Sequence, residues 1–248
     1  MIPSLVAFDI DGTLTESKQK VTQEVATVFT QLLAHTTVAL TSGGKKELAL
    51  DQIIAHLSAD TRLENLYLLP TSGAQLLIYK NRVWESIYEE LLTPEQITLI
   101  TITLTQSAAA TGVIDFSSPS FGERIENRGS QVSLSALGQQ APVDAKAAWD
   151  PTRSKRDTML AYLTPRLAEF DVKLGGLTTF DITKKGINKA FGIRKISDYL
   201  SIPISDMLFI GDALYPGGND EVVKETGITT VQTSGPHETI EIISRLLA

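Results

Sequence analysis

Cysteine is absent from the 248 residues. That absence excludes disulfides, thiolate metal centres and cysteine nucleophiles together. It suits a reducing compartment, so the cytoplasm is the expected location. Excess positive charge is missing too: 22 Lys and Arg stand against 29 Asp and Glu, a net charge of −7. A nucleic-acid or membrane partner is therefore not expected. A small anion is still compatible, because one divalent cation and a few local bases outweigh a diffuse negative field. No apolar run is long enough to span a bilayer, and no basic segment precedes a long apolar one at the N-terminus. Internal repeats and low-complexity tracts are lacking as well. What remains is an ordinary globular composition, 42% hydrophobic and 21% charged, long enough for one large domain or two small ones.

Short apolar runs at 5–10, 37–41 and 66–69 alternate with helix-like segments at 19–34 and 45–56. Such alternation implies βαβ units and a parallel sheet. Residues 74–86 read as a hairpin turning at Lys80-Asn81. The character then changes. Thr93-Pro94-Glu95-Gln96 opens a helix running to about residue 110. Strands are expected at 113–116, 131–137 and 172–174, with a helix at 153–170 that Pro165 should break or kink. Alternation resumes with helices at 187–200, 221–226 and 237–247 and strands at 207–210 and 228–231. The expected fold class is α/β: a Rossmann-like parallel-sheet core from residues 1–87 and 182–248, with an α/β insertion at 88–181.

The chemistry gathers at strand ends. In Phe8-Asp9-Ile10-Asp11-Gly12-Thr13, an apolar run stops at two aspartates one residue apart. Open α/β sheets place their ligand crevices there. A turn explains one aspartate well and the pair poorly. Two adjacent carboxylates repel unless a proton or cation intervenes, and Mg²⁺ is the simplest hard cation to do so. In Thr41-Ser42-Gly43-Gly44-Lys45 a strand ends in hydroxyls and glycines, which equally describes an anion site or an ordinary strand-to-helix turn. Gly186-Ile187-Asn188-Lys189 opens a helix carrying a lysine in its first turn, and taken alone that lysine reads as a surface charge. In Ile210-Gly211-Asp212…Pro216-Gly217-Gly218-Asn219-Asp220, a buried strand again ends in Gly-Asp and a glycine-rich loop returns a second aspartate.

These four segments, in this order, resemble the four motifs of the haloacid dehalogenase superfamily of phosphotransferases, type IIB cap branch. The resemblance implies roles. Asp9 would be the nucleophile and become an aspartyl phosphate, and Asp11 would be the general acid and base. Ser42, with Thr41 as the second choice, would hold a phosphoryl oxygen beside Gly43. Lys189 would neutralise developing charge. Asp9, Asp212 and the Asp11 carbonyl would hold Mg²⁺, with Asp220 and Asn219 acting from behind them.

The Pro-Gly-Gly-Asn-Asp loop resembles the phosphomannomutase branch in particular, and the insertion agrees in part. Gly175-Gly176-Leu177-Thr178-Thr179-Phe180-Asp181 is similar to that branch's substrate segment, which makes Thr179 and Asp181 substrate contacts. Arg128 aligns with its first cap arginine, Gln139 stands where a second is expected, and Lys146 loosely matches a third basic position. Read without the resemblance, Arg128 is a surface charge, Thr179 a β-former and Asp181 a strand-end cap. Because Gln139 lacks the charge and the donor fork of an arginine, the expected function is a Mg²⁺-dependent phosphatase acting on a small sugar phosphate. A phosphomannomutase is the alternative, and a non-catalytic sugar-phosphate-binding regulator a remote one. The expected partner is a small phosphorylated molecule. The oligomeric state is left open, a homodimer included.

Overall fold

In the computed structural model, which describes residues 2–16 and 19–248, β1 (Leu5–Asp9) is buried along its whole length. Then comes α1 (Gln23–His35), starting later than its apolar pattern suggests because Thr22 caps it, its hydroxyl accepting from Val25 N at 3.4 Å. β2 (Thr37–Thr41) and α2 (Lys46–Gln52) follow, the expected longer helix being divided by a 3₁₀ turn at Ile54–His56. β3 (Leu66–Leu69) leads into a single turn, α3 (Pro70–Gly73), and then a hairpin of β4 (Gln75–Lys80) and β5 (Val83–Glu89). Asn81 and Arg82 turn that hairpin with positive φ angles of 51° and 65°, as a two-residue loop of the primed type requires.

α4 (Pro94–Thr111) begins in the expected capping box: Gln96 Oε1 accepts from Thr93 N at 2.9 Å and Thr93 Oγ1 from Gln96 N at 3.2 Å. β6 (Ile125–Asn127), β7 (Gln131–Ser135), α5 (Val143–Trp149), α6 (Ser154–Leu163), β8 (Phe170–Gly175) and β9 (Thr179–Lys184) complete this stretch. α7 (Lys189–Leu200), β10 (Met207–Gly211), a 3₁₀ helix Glu221–Thr226, β11 (Thr229–Gln232) and α8 (Pro236–Leu247) close the chain.

Seven strands form one sheet in the order β11-β10-β1-β2-β3-β4-β5. Its pairs are parallel from β11 to β3 and antiparallel at the β4–β5 end. Alternate residues face opposite sides. Val6, Phe8 and Leu40 pack with Phe29 and Leu32 of α1 and Ile242 and Ile243 of α8. On the other side Ala7, Ala39, Leu69 and Phe209 pack with Ile193 and Ile196 of α7. A separate antiparallel sheet, β6-β7-β9-β8, has its own core, in which Val132, Leu134, Phe180 and Ile182 meet Ile100, Leu104, Met159 and Leu163. The chain thus divides into a larger unit, ending at Glu89 and resuming as Asn188–Ala248, and a smaller one, Glu90–Ile187. The second crossing falls after residue 181 because β9 pairs along its length with β7 and β8. No helix among the described residues is long and apolar enough to cross a membrane.

Three expectations fail locally. Residues 113–116 form no strand: Asp115 accepts from Ser117 N and Ser117 Oγ at 2.8 and 2.6 Å, which turns the chain instead. The helix expected at 153–170 stops at Leu163, broken before Pro165 as expected, but its last part fails, because Phe170 opens a strand. Asp181 lies mid-strand, in register with Ser133 and Lys173, not at a strand end.

Candidate active site

β1 is the middle of the parallel part of the sheet, so its end is flanked on both sides. Asp9 closes the strand, in register with Thr41 of β2, and is 4% exposed. Beyond it the chain folds tightly, with Thr13 N, Leu14 N and Thr15 N all donating to Ile10 O at 2.9–3.2 Å. Gly12 sits at φ +84°, and a Cβ there would come within 2.5 Å of Asp212 Oδ2. Only glycine allows that approach. The hydroxyls of this loop serve structure: Asp212 N donates to Thr13 Oγ1 at 3.1 Å, and Thr15 Oγ1 reaches Ile10 O at 3.5 Å. Asp11 is half-buried, bridged to Thr15.

Lys189 is the first residue of α7, whose N-cap Asn188 accepts from Phe191 N at 3.1 Å. The lysine is 3% exposed and donates to Asp9 Oδ1 at 2.6 Å and to Asp220 Oδ1. Asp220 is wholly buried, and its other oxygen accepts from Ala213 N at 3.2 Å. Burial works to lower the Lys189 pKa, but Asp220 and Asp9 overcome it and hold the ammonium above the ordinary lysine value. Asp9 is pushed up to about 8, chiefly by burial, with Asp220 and Asp212 adding to the effect and Lys189 opposing it. Asp212 is raised by burial first and then by Asp220, with Lys189 again opposing.

Ser42 follows β2, is 6% exposed, and its Oγ accepts from Gly44 N at 2.9 Å. The α3 turn is tied to this loop: Thr71 N donates to Gly44 O and Ser72 N to Ser42 O, both at 2.8 Å. Thr71 and Ser72 hold left-handed φ angles of 48° and 60°. Gly73, at φ +84°, lies so close to α7 that a Cβ would meet Asn188 O and Gly192 Cα at 2.9 Å. This turn was invisible in the sequence beyond its Pro-Thr-Ser-Gly composition, which any turn could have.

The carboxylates of Asp9, Asp212 and Asp220 each bring one oxygen within 4.8 Å of the others. Both Asp220 oxygens are engaged already, which leaves Asp9 and Asp212 as the acidic donors for a cation. Hard oxygens, surplus negative charge around one lysine, and the room left by Gly12 fit a divalent metal ion. Asn219 is not drawn in: it is exposed on the loop, whereas Asp220 is buried.

In the smaller unit, Arg128 donates to Glu126 Oε2 at 2.8 Å and to Gln139 Oε1 at 3.4 Å, and lies 3.8 Å from Asp181 Oδ1. Ser133 Oγ donates to that same oxygen at 2.7 Å. Burial raises the Asp181 carboxyl above its usual range, with Arg128, Ser133 and Gln131 opposing. Thr179 is half-buried at the start of β9, paired with Ser135, and Lys146 is 9% exposed on α5. Arg128, Gln139 and Asp181 are therefore brought together. Glu126 and Ser133, to which the sequence attached no role, belong to the same cluster. Facing positions across an antiparallel sheet are what joins them, and no spacing along the chain could have shown that.

A sheet of this order, with paired acids after its central strand, a lysine from a following helix and an inserted second unit, defines an enzyme of the haloacid dehalogenase superfamily of phosphatases and phosphotransferases. Within it the chain belongs to the eukaryotic phosphomannomutase family, whose model matches residues 105–248. A phosphomannomutase of Oryza sativa subsp. indica is 28% identical over 247 residues, covering 96% of this chain and 93% of the relative. Among solved structures, an IMP-nucleotidase of Plasmodium falciparum superposes with a TM-score of 0.71 at 15% identity, over 99% of this chain and 68% of that one. A haloacid dehalogenase-like hydrolase from Bacteroides thetaiotaomicron gives a TM-score of 0.64 at 15% identity, over 98% and 99% of the two chains.

Proposed function

We propose that the protein is a Mg²⁺-dependent phosphatase acting on a small sugar phosphate through an aspartyl phosphate on Asp9. The observation that carries this reading is the triplet Asp9–Lys189–Asp220. Lys189 occupies Asp9 Oδ1, which leaves Oδ2 for attack on phosphorus. As the Asp9–phosphorus bond forms, the ester phosphorus–oxygen bond breaks and Asp11 protonates the departing oxygen. Asp11 then takes a proton from the incoming acceptor as the aspartyl phosphate is cleaved. Lys189 and the Ser42 hydroxyl stabilise charge on the phosphoryl oxygens, the main contribution in such sites. Asp9, Asp212 and the Asp11 carbonyl would hold Mg²⁺, which supplies Lewis-acid stabilisation of the phosphoryl group when bound.

Water is preferred as acceptor because of the Arg128 cluster. A mutase must hold a second phosphate while the first reacts, for which bidentate arginines serve well. Here Arg128 is already bonded to Glu126 and lies beside Asp181, and its other neighbour is the neutral Gln139. Family membership favours the second reading, a phosphohexomutase in which a sugar hydroxyl is the acceptor. The test is an assay with mannose 1-phosphate and glucose 1-phosphate, with and without a hexose 1,6-bisphosphate. Inorganic phosphate and hexose 6-phosphate are measured together. Phosphate release that outruns isomerisation supports the phosphatase. Efficient formation of the 6-phosphate with little phosphate release establishes the mutase.

A further inference from the structure

Behind the acidic donors, three buried threonines close a ring of hydrogen bonds. The donors stand on two loops, Asp9 and Asp11 at the end of β1 and Asp212 after β10. The two strands pair as far as Phe8 and Ile210. Past that point Thr13 joins the loops. Asp212 N donates to Thr13 Oγ1 at 3.1 Å, and Thr13 N donates to Ile10 O at 3.2 Å. The Thr13 carbonyl is held from outside the loop: Thr239 Oγ1, in the first turn of α8, donates to it at 2.8 Å. Thr239 Oγ1 lies 3.0 Å from Thr233 Oγ1. Thr233 N donates to Gly211 O at 3.0 Å, which returns the ring to the residue before Asp212. Thr13, Thr233 and Thr239 are all at most 2% exposed.

A helical threonine ordinarily bonds the carbonyl four residues back. Ser244 of the same helix does so, donating to Ile240 O at 2.7 Å. For Thr239 that acceptor, Gly235 O, is 3.1 Å away. Its single proton has a closer acceptor in Thr13 O, so the hydroxyl reaches out of its own helix and accepts from Thr233. Thr233 Oγ1 lies 2.9 Å from Gly235 O as well, which anchors this end of the ring to the start of α8. Buried hydrogen-bond chains polarise one another, and groups standing behind a metal's donors orient them and tune affinity. Mg²⁺ demands near-ideal octahedral geometry, whereas the larger Ca²⁺ accepts a looser one. A gap that widens slightly between the two loops therefore costs Mg²⁺ more than Ca²⁺.

We propose that Thr239 and Thr233 are positioning residues that fix the separation of the two donor-bearing loops, and so set the affinity and size selectivity of the cation site. This assignment rests on the reading of Asp9, Asp212 and the Asp11 carbonyl as the donors.

The test compares wild type, Thr239→Val, Thr239→Ser and Thr233→Val. Mn²⁺ binding is read by electron paramagnetic resonance, with Mg²⁺ and Ca²⁺ as competitors, and melting temperatures are taken in chelator. No substrate need be known. Thr239→Val should bind Mn²⁺ and Mg²⁺ roughly tenfold more weakly, the low end of what such outer partners contribute, and lose less than that for Ca²⁺. Thr239→Ser should restore Mg²⁺ affinity to near wild type. Thr233→Val keeps its backbone bond to Gly211 O, so its Mg²⁺ affinity should fall between wild type and Thr239→Val. A valine variant at 239 that melts lower in chelator yet binds all three cations like wild type would overturn the proposal, because the ring would then support the fold alone. So would equal losses for Mg²⁺ and Ca²⁺, or a serine variant as weak as the valine one. Should Thr239→Val fail to fold, Thr233→Val decides: wild-type Mg²⁺ affinity there overturns the proposal. If wild type itself binds no Mn²⁺, the reading of the donors falls and takes this proposal with it. If wild type binds and the variants bind equally, the assignment of the threonines alone falls.

Discussion

At the scale of single residues the chemistry rests on a few buried charges. Asp9→Asn should lower turnover by more than roughly 10³-fold, because an amide is a poor nucleophile and the loss of a chemical group acting in the transition state has effects of that size. Circular dichroism and gel filtration should show an intact fold, and wild-type turnover in that variant would contradict the nucleophile assignment. Asp220→Ala should destabilise the protein by about 3–5 kcal/mol, because it strips a partner from the buried Lys189 ammonium. Chemical denaturation measures it. The pH dependence follows from Asp9. In the unfolded chain its carboxyl loses a proton near the ordinary value of 3.8, whereas in the folded protein it keeps one up to about 8. Between those values the folded state binds more protons than the unfolded state, so stability falls as pH rises. Lys189 stays charged across that window and contributes no slope. Metal-free protein in chelator should therefore melt at a higher temperature at pH 5 than at pH 8, and Mg²⁺ should shrink the difference. A melting temperature that rises from pH 5 to pH 8 in chelator would count against this electrostatic account.

Elements decide where those residues stand. The α3 turn links the Ser42 loop to the start of α7, and through it to Lys189. Gly73→Ala should cost about 2–4 kcal/mol, because an added Cβ meets the backbone at Asn188 and Gly192 and the φ angle is unfavourable. Ser72→Gly should be neutral or stabilise by up to about 1 kcal/mol by relieving a left-handed φ. Thermal unfolding of the two variants should move in opposite directions or nearly so, and equal destabilisation would remove the strain argument. Elements are also where the sequence was most and least legible. β1, β2, β3 and β10 were plain because a buried parallel strand is a short apolar run with turn formers after it. The motif acids were plain for the same reason, since each follows such a run. The short strand Ile125–Asn127 carries no hydrophobic pattern and sits at the sheet edge, paired with β7 alone. The apolar run at 113–116 looked like a strand until Asp115 bent it. Thr71 and Ser72 adopt a conformation that their residue types disfavour, so no propensity could suggest it.

For the whole molecule, the two units carry separate cores, and the smaller one is a continuous stretch of chain between two crossings. We propose that it is a specificity cap whose own substrate contacts are Arg128 and Thr179. The covalent intermediate is the claim on which the rest depends. It is tested most directly by incubating the enzyme with Mg²⁺ and a turning-over hexose phosphate, quenching, reducing acyl phosphates with borohydride, and locating the modified residue by peptide mass spectrometry. The account predicts that Asp9 is converted to homoserine, that the conversion requires Mg²⁺, and that it is absent from Asp9→Asn. Turnover without any modification at residue 9, or modification at another carboxylate, would contradict it.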